Sequence, residues 1–303
     1  MTIKKFSLYL NIIYLTIIIL ILFILYYLYL IYNKKKKKIE NYDEIVEYRD
    51  VTFYDEKDTT EFLLRDSDNY VRNFTNYDLM ARKVDCKDEY IKKISQCSKN
   101  FSQEQKDIIK TACNQADEFF LNYNNILNGK EIAKIPWVFC LTYNNNFEYE
   151  NGFPHTRENI IFIPDKIIPN TVTIDLVNTL IHEKIHVYQR YNKDIMDMIM
   201  NNMGYEITTE YNPKKRANPD LDYNTYYDRN KGVLLQCYYN TNCTDSTDST
   251  DCTDCTDITN RPNSIMDVTC TDNNNIYEHP YELIAYKIAN EYNSKILENY
   301  INI

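Results

Sequence analysis

An uncharged apolar run near the start of the chain restricts what its N-terminal segment can fold into. From Phe6 to Tyr32 the sequence reads FSLYLNIIYLTIIILILFILYYLYLIY, without one charged residue. A helix of ~20 apolar residues is long enough to cross a bilayer. A cleaved signal peptide has a shorter apolar core and a small-residue cleavage site, and neither feature is present. The run therefore predicts a permanent single-pass transmembrane anchor, residues 1–33.

The lysines that flank this run indicate its orientation. A cluster from Lys34 to Lys38 follows the run directly, whereas only two lysines precede it. Because cytoplasmic flanks carry the excess of Lys and Arg, the asymmetry predicts that the large C-terminal part lies on the cytoplasmic side. Asn-x-Ser/Thr sequons would fit the opposite side, but they arise by chance in so Asn-rich a chain; they begin at Asn73, Asn100 and Asn242.

The pattern of apolar residues divides the rest of the chain near residue 100. Residues 34–100 are mixed in charge and lack a long period, which predicts a juxtamembrane linker and a small helical region. Residues 101–303 carry strand and helix signals in turn. The runs 135–141 and 160–163 are rich in β-branched and aromatic residues, as short strands are. We therefore predict an α+β domain with a small mixed sheet over 101–303.

Capping residues mark where the helices of this domain begin and end. Ser102 opens a capping-box sequence ahead of a helix-period pattern. A second helix is predicted to start near Thr171 or Thr173, and a third to end at Gly204. Pro280 suits the first position of the last helix, because its missing N–H has no partner to lose there.

A low-complexity insert interrupts the domain over residues 240–275. Within it, residues 243–257 repeat Ser or Cys followed by Thr-Asp with a period of three, which predicts a disordered surface loop. The Cys-Thr-Asp-Cys at 252–255 follows from this repeat and does not need a metal. The nine cysteines are odd in number and irregularly spaced, a poor disulfide framework. Cys113 and Cys140 lie within apolar patterns, which predicts reduced core thiols.

The segment LIHEKIHVYQR carries the strongest chemical signal in the chain. It contains His182, Glu183 and His186, and the chain has only four histidines. Positions i and i+4 lie on one face of a helix, so both imidazoles can reach one Zn²⁺. Glu183 is offset by ~100° around the helix axis, beside the metal, where it can take a proton. This is the HExxH arrangement of metalloproteases.

A catalytic zinc needs a third protein ligand. The metzincin pattern would place Gly at position 189 and His at position 192, and these positions hold Gln189 and Asn192, which excludes that class. Glu282 is favoured, because it lies in the first turn of the predicted last helix, where it can point from a rigid element. The candidates that remain open are His155, Glu278, His279 and Glu282.

HEKIH followed by a later helical glutamate resembles the gluzincin class of zinc metallopeptidases. With GFPHTRENIIFIP, RANPD and EHPYELIAY, residues 135–290 are similar to metallopeptidase-like proteins of large DNA viruses. The resemblance implies a zincin-like fold in which His182, His186 and Glu282 hold Zn²⁺ and Glu183 is the general base. It also implies a viral protein, whose membrane would be that of a cell or a virion.

Together these features predict a membrane-anchored zinc metalloprotease, a hydrolase that acts on a protein or peptide substrate near the membrane. Glu183 would take a proton from the metal-activated water and return it to the leaving amine. Candidates for substrate or oxyanion binding are His155 with the adjacent Thr156, and Tyr226 with the nearby Tyr223 and Tyr227. Strand 160–163 is a candidate edge for an extended peptide. The net charge of −10 argues against a nucleic-acid partner.

Two other functions are compatible with the same residues. The first is a membrane-anchored structural or virion interaction protein with a non-catalytic zinc site. The intact Glu183 argues against it, because a purely structural site has no use for a base and closes with a fourth protein ligand. The second is a hydrolase that uses the same zinc on a non-peptide amide.

Overall fold

The N-terminal helix and the rest of the chain form two separate units, residues 1–49 and 50–303. The computed structural model describes residues 16–33, 50–210, 212–221, 224–241, 261–271 and 278–301. In the first unit, helix α1, Thr16–Asn33, has a mean hydropathy of 2.2 and is long and apolar enough to cross a membrane. Residues 1–15 of the predicted anchor lie outside the described part, and the orientation of the anchor stays a prediction.

The second unit mixes helices with small sheets, so the α+β prediction is confirmed. Its described strands are β1 (Val51–Phe53), β2 (Ser98–Lys99), β3 (Trp137–Thr142), β4 (His155–Arg157), β5 (Ile160–Pro164), β6 (Tyr205–Thr208), β7 (Thr225–Asp228), β8 (Val233–Leu235), β9 (Cys237–Tyr239) and β10 (Val268–Cys270). Its described helices are α2 (Glu56–Arg65), α3 (Asn76–Ala81), α4 (Lys87–Ser95), α5 (Gln103–Leu121), α6 (Gly129–Lys134), α7 (Ile174–Tyr191), α8 (Lys193–Met203) and α9 (Pro280–Ile301).

The predicted helix ends agree with the structure. The Ser102 side chain caps α5 in a reciprocal capping box, and Thr173 caps α7 by accepting from the Leu176 N–H. Helix α8 ends at Gly204, whose φ of +93° is a left-handed conformation that glycine adopts without a steric cost. Helix α9 begins at Pro280.

The main sheet has the order β1-β3-β5-β4, and β2 pairs with β3. β1 and β5 run parallel to β3, whereas β4 is antiparallel to β5. The prediction that strand 160–163 lies at a sheet edge was wrong, because β5 lies between β3 and β4 and is buried along its whole length. The short strand β4 is the edge.

Residues 50–100 belong to the same unit as the rest of the domain. β1 pairs with β3. The cluster of buried residues that includes Leu63 and Tyr90 packs on the face of β3 and β5 that is opposite α7. The boundary that we predicted near residue 101 therefore does not appear in the structure. Short helices such as α3 have too few residues to show a clear hydrophobic period, so the sequence did not reveal them. Tertiary packing stabilises such helices.

The insert that we predicted at 240–275 includes a described strand. Its repeat lies outside the described residues, but the segment 261–271 is ordered, with β10 paired antiparallel to β9. A disulfide joins Cys237 to Cys270 across these two strands, which the irregular cysteine spacing did not reveal. Cys113 and Cys140 are buried thiols that form no disulfide, as predicted.

Helix α7 lies at the centre of the domain, in contact with α5, α9 and strands β4 and β5. On its inner side, the Lys184 ammonium group is almost fully buried and donates to Asp117 Oδ1 over 2.8 Å. Asp117 Oδ2 accepts from the indole N–H of Trp137, and the ammonium lies 4.0 Å from the centre of the Trp137 ring. These contacts join α7 to α5 and β3.

We expect Asp117→Ala to lower the free energy of unfolding by about 3–5 kcal/mol, because it leaves the buried Lys184 charge without its carboxylate. Denaturant unfolding of the full chain in detergent measures this change. Asp107→Ala, an exposed aspartate on the same helix, is the control and should cost less than about 1 kcal/mol. Equal losses in the two variants would contradict the assigned role of Asp117.

Candidate metal centre

One face of α7 packs into the core, and another face carries potential metal ligands. Ile181 and Ile185 are fully buried in the core and hold the helix against the sheet and α5. His182 and His186 project from another side of the helix toward α9, where Glu282 occupies the first turn. The pattern of the sequence and the packing therefore agree about which way this helix faces.

His182, His186 and Glu282 bring three ligand atoms together. The His182 and His186 Nε2 atoms are 3.0 Å apart, and Glu282 Oε2 lies 3.4 Å from the first and 3.7 Å from the second. Two tetrahedral ligands ~2.0–2.1 Å from one Zn²⁺ lie ~3.4 Å from each other. The spacing of the three atoms therefore fits one metal ion of that size.

The hydrogen bond to Gln189 determines how His186 presents its ring. His186 Nδ1 lies 2.8 Å from Gln189 Oε1, and Gln189 Nε2 donates to the main-chain oxygen of Tyr281 in α9. Because the amide nitrogen is committed to Tyr281, the amide oxygen faces His186 and accepts its Nδ1 proton. This leaves the lone pair of His186 Nε2 directed at the centre, as a metal ligand requires.

Glu278 and His279, the alternative third ligands, are engaged elsewhere. Both oxygens of Glu278 accept from the Arg216 guanidinium, and Oε1 also accepts from the Asn218 amide. His279 Nδ1 accepts from the N–H of Tyr281 at the start of α9. Among the described residues, the group of potential ligands that converges on one point consists of His182, His186 and Glu282.

The charges at this centre are those of a site prepared for a cation. Burial disfavours the charged form of Glu282, but the nearby imidazoles of His186 and His182 hold its pKa well below the usual range. Burial likewise opposes protonation of His186, but the carboxylate of Glu282 raises the pKa of that imidazole. A bound metal ion would take the place of the proton on His186, because metal ligands must be deprotonated.

Glu183 lies beside the three ligands and is 3% exposed. Its Oε2 accepts a hydrogen bond of 2.8 Å from the hydroxyl of Thr156 in β4. Burial raises the pKa of Glu183 well above its usual range, and the charge of nearby Asp220 adds to this effect. Burial also raises the pKa of Asp220 to about 6. The carboxyl groups of Glu183 and Asp220 thus both lie next to the centre.

A cavity of about 340 Å³ opens onto this centre. Exposed apolar side chains surround its mouth: Phe153, Met266 and Tyr286. The Tyr286 ring lies 4.4 Å from that of His182. Volume and lining are those of a small-ligand pocket, in which apolar walls surround a few converging polar groups. The other lining residues are Glu150, Pro154, His155, Asn178, Thr179, His182, Glu183, Arg216, Ala217, Asn218, Pro219, Asp220, Ile265, Glu278 and Glu282.

His155 lines this cavity, but its protonation does not suit an oxyanion donor. Its Nδ1 lies 3.0 Å from the main-chain oxygen of Phe153, and a carbonyl only accepts, so Nδ1 carries the proton. Burial lowers the pKa of His155 to about 4, which keeps the ring neutral and Nε2 unprotonated. His155 therefore cannot donate to an oxyanion. Its Nε2 atom is an acceptor that is buried, so contact between His155 and a substrate stays a prediction.

Tyr226, the other oxyanion candidate, lies away from the cavity. Its ring packs 4.7 Å from His279 and 6.1 Å from Tyr281, and it is not among the residues that line the cavity. Tyr227 is on the same strand, at a separate surface depression, and Tyr223 lies outside the described residues. Tyr286 is the tyrosine that the structure places at the cavity.

On the edge of β4 that faces away from β5, the main-chain groups of the middle residue, Thr156, are already hydrogen-bonded. The Thr156 N–H donates to Asp220 Oδ1 over 2.5 Å, and the Thr156 carbonyl accepts from Arg190 over 3.0 Å. In an antiparallel pair only alternate residues direct their main-chain groups outward, and Pro154 has no N–H. An extended peptide therefore cannot pair with β4 at Thr156.

No protein-family model matches the chain, and no curated protein or solved structure matches it either. The resemblance to gluzincins therefore stays a prediction, as do zinc and peptidase activity. A function for the centre has to be inferred from its residues and their geometry.

Several residues of the centre were not identified from the sequence. Gln189 carried a usable signal, because it lies three positions after His186 on the same helix face. Asn218 and Asp220 belong to RANPD, which the resemblance included without a role for either. Thr156 was predicted as a candidate for substrate or oxyanion binding, but nothing in the local pattern indicates that its hydroxyl reaches Glu183, which is 27 residues away in the sequence.

We expect Gln189→Leu to weaken zinc affinity by about 10–100-fold, because the tautomer and orientation of His186 lose their support. Competition with a chromophoric chelator measures the Kd of the full chain. Gln189→Glu loses the bond to Tyr281, as Gln189→Leu does, but keeps the acceptor for His186, so it should bind zinc more tightly than Gln189→Leu. If Gln189→Leu bound zinc as tightly as the parent, the tautomer assignment would be incorrect.

We expect acidification to destabilise the parent protein more than it destabilises the His155→Phe variant. Burial holds the pKa of His155 at about 4 in the folded protein, whereas the unfolded chain keeps a value near 6.5. Between these two pH values only the unfolded state gains a proton on His155. The parent should therefore lose up to about 3 kcal/mol of stability, relative to the variant, as pH falls through this window. Urea unfolding at pH 7.5 and 4.5 tests this, and parallel losses would contradict it.

Proposed function

We propose that this protein is a zinc-dependent metallopeptidase. The convergence of His182, His186 and Glu282 at metal-ligand spacing, with Glu183 buried beside them at a cavity, is the observation that carries the proposal. Three side-chain ligands are one fewer than a closed structural zinc site uses, and a site with an open position is typical of catalysis. The membrane anchor, if it inserts as predicted, would confine this activity to a surface.

A zinc ion held by these side chains would supply Lewis acidity, which makes water nucleophilic near neutral pH and polarises a carbonyl group. Glu183 would act as the general base, and later return the proton to the leaving amine. Its Oε2 accepts from Thr156, so the proton transfer falls to Oε1.

The closed edge of β4 bears on how a substrate would be held. Because Thr156 has no main-chain group to offer, the cavity walls have to hold the substrate through its side chains. Phe153, Met266 and Tyr286 offer apolar contacts for this. A non-peptide amide would use the same walls.

We expect the purified full chain in detergent to contain about one zinc per chain. Glu183→Gln should keep the metal and lose turnover by about 10²–10⁴-fold, because it removes the base and no ligand. His182→Ala and Glu282→Ala should lose most of the metal. Elemental analysis and hydrolysis of a library of internally quenched peptides measure the two quantities.

The outcomes separate the candidate functions. Metal without hydrolysis of any peptide would favour a non-catalytic zinc site in a structural protein, or an amide substrate outside the library. A folded parent protein without metal would refute the proposal. Native turnover in Glu183→Gln would refute the role of this residue as the base.

A further inference from the structure

Thr156 of β4 is the point at which the sheet and the metal-binding helix are joined. The residue is fully buried, and each of its polar groups is engaged. Its hydroxyl donates to Glu183 Oε2 over 2.8 Å, its N–H donates to Asp220, and its carbonyl accepts from Arg190. One short edge strand thus contacts α7 and the loop at 216–220 together.

A carboxylate next to a divalent cation tends to coordinate it, because carboxylates are themselves metal ligands. Glu183 is adjacent in sequence to His182, and it lines the same cavity as His182 and Glu282. The helix offsets its Cα by ~100° from that of His182, but a glutamate side chain is long and rotates freely. Another contact is therefore needed to keep the Glu183 carboxylate from occupying the open position on the metal.

We propose that Thr156 is a positioning residue that holds the Glu183 carboxylate at the cavity and keeps it from becoming a fourth metal ligand. This inference rests on the proposed function. A hydroxyl hydrogen bond to one oxygen selects one rotamer of the glutamate, while the other oxygen stays available for a proton. A Thr156 without its hydroxyl would leave Glu183 free to bind the metal and to block the position that water needs.

The surroundings of Thr156 hold it firmly enough for this role. Arg190 donates to the carbonyl oxygens of both Thr156 and Pro219, and so ties the loop that carries Asp220 to the strand. Asp220 accepts the Thr156 N–H over 2.5 Å. On the other side, β4 is paired with β5 from residue 155 to residue 157. The hydroxyl is therefore presented by a strand whose main chain is bonded on both edges.

Co²⁺ in place of zinc gives a test that does not depend on turnover, because its visible d–d absorption reports the number and type of ligands. The full chain in detergent is titrated with Co²⁺ alone. The variants are Thr156→Val, which has nearly the same shape without the hydroxyl, and Thr156→Ser, which keeps the hydroxyl. Thr142→Val, a buried strand threonine that does not line the cavity, is the matched control.

We expect Thr156→Val to change the Co²⁺ spectrum and to tighten Co²⁺ binding, while Thr156→Ser and Thr142→Val match the parent protein. In a Glu183→Ala background, Thr156→Val should cause no further spectral change. With internally quenched peptides, kcat of the zinc form of Thr156→Val should fall by about 10²-fold, the effect of a misplaced catalytic group. If Thr156→Val does not fold, Thr156→Ala carries the same comparison.

Two negative results are distinguishable. If the parent binds Co²⁺ and Thr156→Val has its spectrum, affinity and kcat, this inference is refuted and the proposed function stands. If the folded parent binds neither Co²⁺ nor zinc, the proposed function fails and the positioning role fails with it. A spectral change that persists without Glu183 would also refute the inference, because the effect would then have another cause.

Discussion

The packing of α7 against α9 is the contact on which the candidate metal centre depends. The two histidines lie on one helix and Glu282 on the other, so their separation is set by how closely the helices approach. Apolar contacts between buried residues of the two helices supply most of the adhesion. Two side-chain bonds to main-chain oxygens set the alignment: Asn178 donates to Ala289, and Gln189 donates to Tyr281. The same Gln189 also orients His186, so the alignment of the helices and the chemistry of the site share one residue.

The centre brings several carboxyl groups into a region with little water, and such groups are stable there only when each is paired. Glu278 is neutralised by Arg216, and Glu282 is stabilised by the two imidazoles. Glu183 and Asp220 each accept a hydrogen bond from Thr156, and burial raises the pKa of both, with repulsion from Asp220 adding to the effect on Glu183. A divalent cation at the three ligands would relieve this repulsion, which links metal binding to the stability of the folded domain.

The segment 216–220 shows why part of the centre was not predictable. Asn218 donates to both Glu278 and Glu282, and Ala217 donates its N–H to Asp78 in α3. These contacts connect residues that are between 60 and 139 positions apart in the sequence. No local period or capping rule carries such information. The wrong edge assignment of β5 has the same origin, because an apolar run indicates a buried strand but does not indicate which neighbours cover it.

The sequence by itself determined the helix ends, the α+β class, the apolar N-terminal helix and the two histidines on one face of α7. These follow from rules that act within a few residues: capping, periodicity and the geometry of one helical turn. The tertiary structure decided which glutamate joins the histidines, that Glu278 and His279 do not, and that Thr156 holds Glu183. Those choices depend on distances between separate elements, which arise only when the helices and the sheet bury their apolar faces against one another.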